Sequence, residues 1–210
     1  MSHIVLLGDS IFDNRAYTGG AADVVTHLRG LLPRGWKATL GAVDGATTGR
    51  LRAQLDRVPP DATHLVVAIG GNDALQNSDL LSTRVRSSAE TLALFAERLE
   101  SFEASYGAAI DGVRALRRPA TVCTIYNGAL APDHAAAARV ALMMFNDVII
   151  RAAAIRHLDV IELRTICTEP GDYANPIEPS GQGGRKIAHA IARAVGAIEG
   201  RAMSRLLAGE

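Results

Sequence analysis

Five short apolar runs recur along the chain: Ile4–Leu7, Ala38–Val43, Leu65–Ile69, Thr121–Tyr126 and Val160–Leu163. Most are continuously apolar. A strand with one wetted face alternates apolar and polar residues, whereas a strand covered on both faces does not. Between the runs lie stretches with apolar residues at helical spacing: Ala21–Leu32, Thr48–Val58, Ser87–Leu116, Ala135–His157 and Gly184–Leu207. The Ser87–Leu116 stretch is expected to be two helices broken near Tyr106-Gly107, and the final helix to start near Ser180 or Gly181. Strands alternating with helices imply right-handed crossovers and a mostly parallel sheet with helices on both faces. No repeat, low-complexity tract or linker interrupts the pattern, so the expectation is a single α/β domain over residues 1–210.

A chain of 210 residues can bury one sizeable core, and 48% of its residues are apolar. The formal net charge is zero. Neutralising phosphates needs a basic excess, so no nucleic-acid partner is expected. The cluster Arg114, Arg117, Arg118 reads as a solvated helix end. Two cysteines do not make a disulfide framework. Cys123 reads as a small core residue, and Cys167 lies in a loop-like stretch with no assigned role. No basic segment followed by a long apolar stretch opens the chain, and no apolar run approaches the ~20 residues of a membrane span. The expectation is a soluble, cytoplasmic protein without a membrane partner. No His/Cys/Asp/Glu spacing suggests a metal site, and neither a phosphate loop nor a dinucleotide fingerprint is present. No cofactor is therefore expected.

In open sheets of this kind, sites form beyond the C-terminal ends of the strands. The first run ends in "HIVLLGDSIFDN", which puts the Ser10 hydroxyl at that edge. It is either a helix cap or a nucleophile. The stretch is not the G-x-S-x-G elbow, because Phe12 stands where the second glycine belongs. The second run leads into "AVDGATTG", where Gly45 can bring a backbone N–H close to a ligand or simply make a turn. The third leads into "AIGGNDAL", where Asn72 offers a side-chain amide, in an Asx-turn or as an oxyanion donor. A hydroxyl, a glycine N–H and an asparagine amide after three successive parallel strands make the set that acyl transfer needs.

This ordered set, "GDS", then a glycine, then "GGND", resembles the SGNH (GDSL) hydrolase superfamily across almost the whole chain. The resemblance implies a three-layer α/β/α sandwich, flavodoxin-like, with a five-stranded parallel sheet. It also implies ester or acyl hydrolysis through a serine acyl-enzyme. By this likeness Ser10 is the nucleophile, and the Ser10 N–H, the Gly45 N–H and the Asn72 side chain are the oxyanion donors.

The family's last motif places an aspartate three residues before a histidine, ahead of the C-terminal helix. The matching region reads "DYANPIEPSGQGGRKIAHAI", which puts Asn175 at the aspartate position and Glu178 at the histidine position. No other histidine is an obvious replacement. His3, His64 and His157 fall near strand starts, His27 and His189 lie inside helices, and only His134 lies on the functional edge. Asn175 and Glu178 make electrostatic sense as a unit. An anionic aspartate beside a neutral histidine carries one negative charge, and so does a neutral asparagine beside an anionic glutamate. Free glutamate lies ~2 pK units below free histidine. That weakens base catalysis by roughly tenfold, and burial recovers part of it. The expectation is that Glu178 acts as general base and Asn175 orients it.

Asp13 and Asn14 either pin the first helix or contact substrate. Tyr126 and Asn127 are either pocket walls or turn residues. Asp9 is expected to order the loop, and Asp73 to cap a helix or reach the site. The leading functional reading is a serine-dependent hydrolase of a small ester, with no cofactor. The scarcity of aromatic residues and the lack of an apolar lid argue for a small substrate over a long acyl chain. The alternatives are a non-catalytic ligand-binding protein on the same fold and an acyltransferase that uses an alcohol acceptor.

Overall fold

The computed structural model describes residues 1–199 of the chain. The five apolar runs form the strands β1 (Ser2–Gly8), β2 (Trp36–Leu40), β3 (His64–Ala68), β4 (Ala120–Cys123) and β5 (Asp159–Ile161). They make one sheet in the order β2-β1-β3-β4-β5, and every neighbouring pair is parallel. The helices are α1 (Val24–Leu31), α2 (Leu51–Leu55), α3 (Gly71–Leu75), α4 (Ser88–Ala115), α5 (Pro132–Ile155) and α6 (Gly181–Ala194).

Side chains alternate across a strand. Ile4 and Leu6 therefore enter one core, with Leu28 of α1 and Ile187 and Ile191 of α6. Val5 and Leu7 enter the other, with Leu51 of α2, Tyr106 and Ile110 of α4 and Phe145 and Ile149 of α5. This is the expected three-layer sandwich. None of the described helices is long and apolar enough to cross a membrane.

Three local expectations change. The long fourth helix is not broken at Tyr106-Gly107. Tyr106 and Ile110 are buried against the sheet, and that packing outweighs the ~1 kcal/mol cost of one interior glycine. Gly107 also leaves room for Arg156, whose guanidinium donates to its carbonyl oxygen. The short α3, directly after Gly70, was not expected as a helix. The last helix ends at Ala194, and the stretch from residue 200 to Leu207 lies outside the described residues.

The chain goes from β1 outward to β2 and then returns to β3 on the other side of β1. The order of connection thus reverses beside β1, where open α/β sheets form their crevice. Gly8 closes β1 there with a φ of 129°, and a Cβ on it would stand 1.7 Å from the Ala68 carbonyl oxygen. Only glycine allows the two strand ends to approach so closely. Gln54 of α2 braces the same residue: Gly8 N–H donates to its Oε1 at 2.8 Å, and its Nε2 donates to Gly8 O at 2.7 Å.

Candidate active site

Ser10 leaves the sheet in a turn built by Asp9. The Asp9 N–H donates to Ala68 O at 3.0 Å, and its carbonyl accepts from the Phe12 and Asp13 N–H groups. The Asp9 carboxylate accepts from the Ile11 N–H through Oδ1, while Oδ2 is buried without a partner among the described residues. Burial, only partly countered by that N–H, pushes Asp9 up to about 7, with a smaller contribution from the charge of Glu178.

The Ser10 hydroxyl donates to Glu178 Oε1 at 3.1 Å. Both residues are buried, at 8% and 6% exposure. The second glutamate oxygen, Oε2, has no partner among the described residues. Burial raises the Glu178 pKa above the ordinary carboxylate range, and the Ser10 hydrogen bond opposes the rise.

Glu178 sits in the loop between β5 and α6. Tyr173 and Pro179 form an isolated antiparallel bridge, and the Ala174 N–H donates to Glu178 O. Asn175 Oδ1 accepts from the N–H groups of Ile177 and Glu178, both at 2.9 Å. Asn175 thus holds the backbone of Glu178 and makes no hydrogen bond to its carboxylate. A tight turn leaves N–H groups that need a nearby acceptor, and asparagine supplies one. Asp172 anchors the loop from below. It is fully buried and accepts from the Thr168 and Glu169 N–H groups, Gln182 Nε2 and Lys186 Nζ.

The loops after β1, β2 and β3 are stitched together by side chains. Asp13 Oδ2 accepts from the Asp44 N–H at 3.0 Å. Asn72 Nδ2 donates to Ala46 O at 2.9 Å. The Asp73 carboxylate accepts from the Thr48 N–H and, at 2.6 Å, from its hydroxyl. Gly45 lies between these ties with a φ of 72° and is exposed. Among the described residues, neither the Gly45 nor the Ser10 N–H donates within the chain.

Ser10, Asn72, Tyr126, Asn127 and Glu178 line one cavity of about 120 Å³. Asp13, Asn14, Gly45 and Asn175 do not line it. Asp13 and Asn14, expected either to pin the first helix or to contact substrate, make hydrogen bonds within the chain. Asp13 is engaged with Asp44, and Asn14 is fully buried between α1 and Pro179. Tyr126 is a wall fixed by its hydroxyl, which donates to Ile177 O at 2.6 Å. Asn127 lines the same cavity, with its Oδ1 buried and unpartnered among the described residues. No histidine lines the cavity, and His134 is exposed in the first turn of α5. Among the described residues no group of three His, Cys, Asp or Glu side chains could hold a metal ion.

Two supporting residues, Gln54 and Asn146, escaped the sequence reading. Asn146 of α5 is buried, accepts from the Ile125 N–H at 2.7 Å and donates to Ile125 O at 2.8 Å, which fixes the chain leaving β4. The available signal was a lone amide inside an apolar helical stretch, "LRAQL" or "MMFNDVII".

The model of the GDSL-like lipase/acylhydrolase family matches residues 6–186. The chain belongs to this family. It is therefore an ester-hydrolysing enzyme of the GDSL type. Solved structures share the fold at low sequence identity. An extracellular lipase from Streptomyces rimosus superposes with a TM-score of 0.68 at 19% identity, over 92% of this chain and 100% of that one. A phospholipase A1 from Streptomyces albidoflavus NA297 gives 0.69 at 18%, over 92% and 99%. Axe2, an acetylxylan esterase from Geobacillus stearothermophilus, gives 0.66 at 18%, over 93% and 94%. No curated protein sequence matches this chain.

Proposed function

We propose that the protein is a serine esterase in which Glu178 replaces the usual histidine. The observation that carries this reading is the 3.1 Å hydrogen bond from the Ser10 hydroxyl to Glu178 Oε1. Ser10 Oγ attacks the ester carbonyl carbon while its proton passes to Glu178, which becomes neutral. The carbonyl oxygen gains the negative charge and is met by the Ser10 N–H, the Gly45 N–H and the Asn72 amide. The intermediate then collapses, the C–O bond to the alcohol breaks, and Glu178 returns the proton to the leaving oxygen. Water repeats the sequence on the acyl-enzyme, with Glu178 again accepting a proton, and releases the acid.

The electrostatics suit a carboxylate base. Burial raises the proton affinity of Glu178 and narrows its deficit against histidine. Asn175 contributes no charge, so no second carboxylate from the motif itself competes with the glutamate. The test is hydrolysis of a short-chain aryl ester by Ser10→Ala and Glu178→Gln. Ser10→Ala is expected to reduce the rate to background, and Glu178→Gln to lower kcat by about 10²–10⁴-fold, the range of general-base catalysis. A Glu178→Gln protein that turns over like the wild type contradicts the assignment.

A further inference from the structure

The cavity beside Ser10 has two kinds of wall. Ser10, Asn72, Asn127 and Glu178 supply polar atoms, as do Asp9, Asn77 and Ser78, and most of the remaining wall is apolar, with Leu75, Phe95, Ala138, Ala141, Leu142 and Phe145 prominent. The four residues from α5 recur at three- and four-residue spacing and so form one stripe of that helix. Phe95 and Phe145 are buried, whereas Leu75 is exposed at 45%.

We propose that this cavity is the acyl pocket, and that it selects esters of unbranched apolar acids of about four to six carbons. The proposal rests on the serine esterase reading above. An apolar cavity of about 150 Å³ holds one benzene ring. A volume of about 120 Å³ is of the same order, and with the carbonyl carbon held at Ser10 it suits a tail of about three to five carbons, as in a butanoyl to hexanoyl group. An acetyl group would leave the side chains of α5 without contacts. A hydroxylated acyl group would lose its hydrogen bonds to water against alanine, leucine and phenylalanine. A long chain would exceed the volume.

The test is a series of aryl esters with acetyl, butanoyl, hexanoyl and decanoyl groups. The expected kcat/KM rises by about fourfold per methylene from acetyl, peaks at butanoyl or hexanoyl and does not rise further at decanoyl. Ala141→Phe fills the pocket and should lower the hexanoyl-to-acetyl ratio about tenfold or more. Ala138→Leu is a milder second variant that should lower the same ratio several-fold. Binding is read separately, by NMR titration of Ser10→Ala protein with hexanamide, a neutral probe that avoids a charge beside Glu178. It should bind, and bind more weakly when Ala141→Phe is added. Turnover that requires Ser10 but is fastest with acetyl or decanoyl overturns the pocket and leaves the esterase reading intact. Hexanamide binding sensitive to Ala141→Phe, in a protein without Ser10-dependent turnover, supports the pocket and overturns the esterase reading. Neither turnover nor binding overturns both.

Discussion

Asn14 Nδ2 donates to the Pro179 carbonyl oxygen at 3.1 Å, one residue from Glu178. Asn14 also accepts from the Val24 N–H at 3.1 Å. One fully buried side chain therefore ties the loop that carries Ser10 to the loop that carries Glu178 and to the start of α1. Asn14→Ala removes both hydrogen bonds and leaves a buried carbonyl and a buried N–H unpaired. The expected loss of stability is about 2–4 kcal/mol by urea unfolding. The surviving folded protein should also show a lower kcat than the wild type, because the Ser10–Glu178 separation is no longer fixed.

Asn175 acts on the backbone, so the acceptor oxygen is what counts. Asn175→Asp keeps an acceptor for the Ile177 and Glu178 N–H groups and should fold normally. Its added negative charge should shift the acid limb of the rate profile to higher pH. Asn175→Ala removes the acceptor and should lower kcat. Rates measured from pH 4 to 9 separate the two effects.

Asn72→Ala removes an amide proposed to meet the oxyanion. Loss of one such donor costs about 10²–10³-fold in kcat. KM should change far less, because the charge develops only in the transition state. Steady-state kinetics on a butanoyl ester check this split.

Asp9 sets a pH dependence of stability. Burial raises it from an ordinary 3.8 to about 7. Between those values the folded protein keeps a proton that the unfolded chain releases, so stability falls as pH rises. The contribution is complete below about pH 4 and is lost as pH passes through about 7. The loss is on the order of a few kcal/mol. Urea unfolding at pH 5 and pH 8 should show this decline in the wild type and a weaker one in Asp9→Asn.

The sheet was legible because β1 and β3 are covered on both faces and read as unbroken apolar runs. Ser10 and Asn72 could be placed at the sheet's C-terminal edge because each follows a strand, and Glu178 near the last helix because its stretch resembles the family's last motif. The roles of Asp13 and Asn14 were not legible, because a polar residue in a loop looks the same whether it meets a ligand or another loop. The apolar walls beside Ser10 were hidden for a related reason. Ala138, Ala141 and Phe145 have the spacing of any core-facing helix, and only the placement of α5 over the end of β4 turns that stripe toward the site. The unbroken α4 shows long-range packing of Tyr106 and Ile110 overriding a local glycine signal.

The most direct test of the Ser10–Glu178 pair is kcat/KM of the wild type and Glu178→Gln on one butanoyl aryl ester, from pH 4 to 9. The wild-type rate should rise with pH through an ionisation above the ordinary glutamate value, because the proposed base takes the serine proton only when Glu178 is ionised. Glu178→Gln should be slower by about 10²–10⁴-fold and should lose that ionisation. A Glu178→Gln protein with the wild-type rate and the same acid limb would place the base elsewhere.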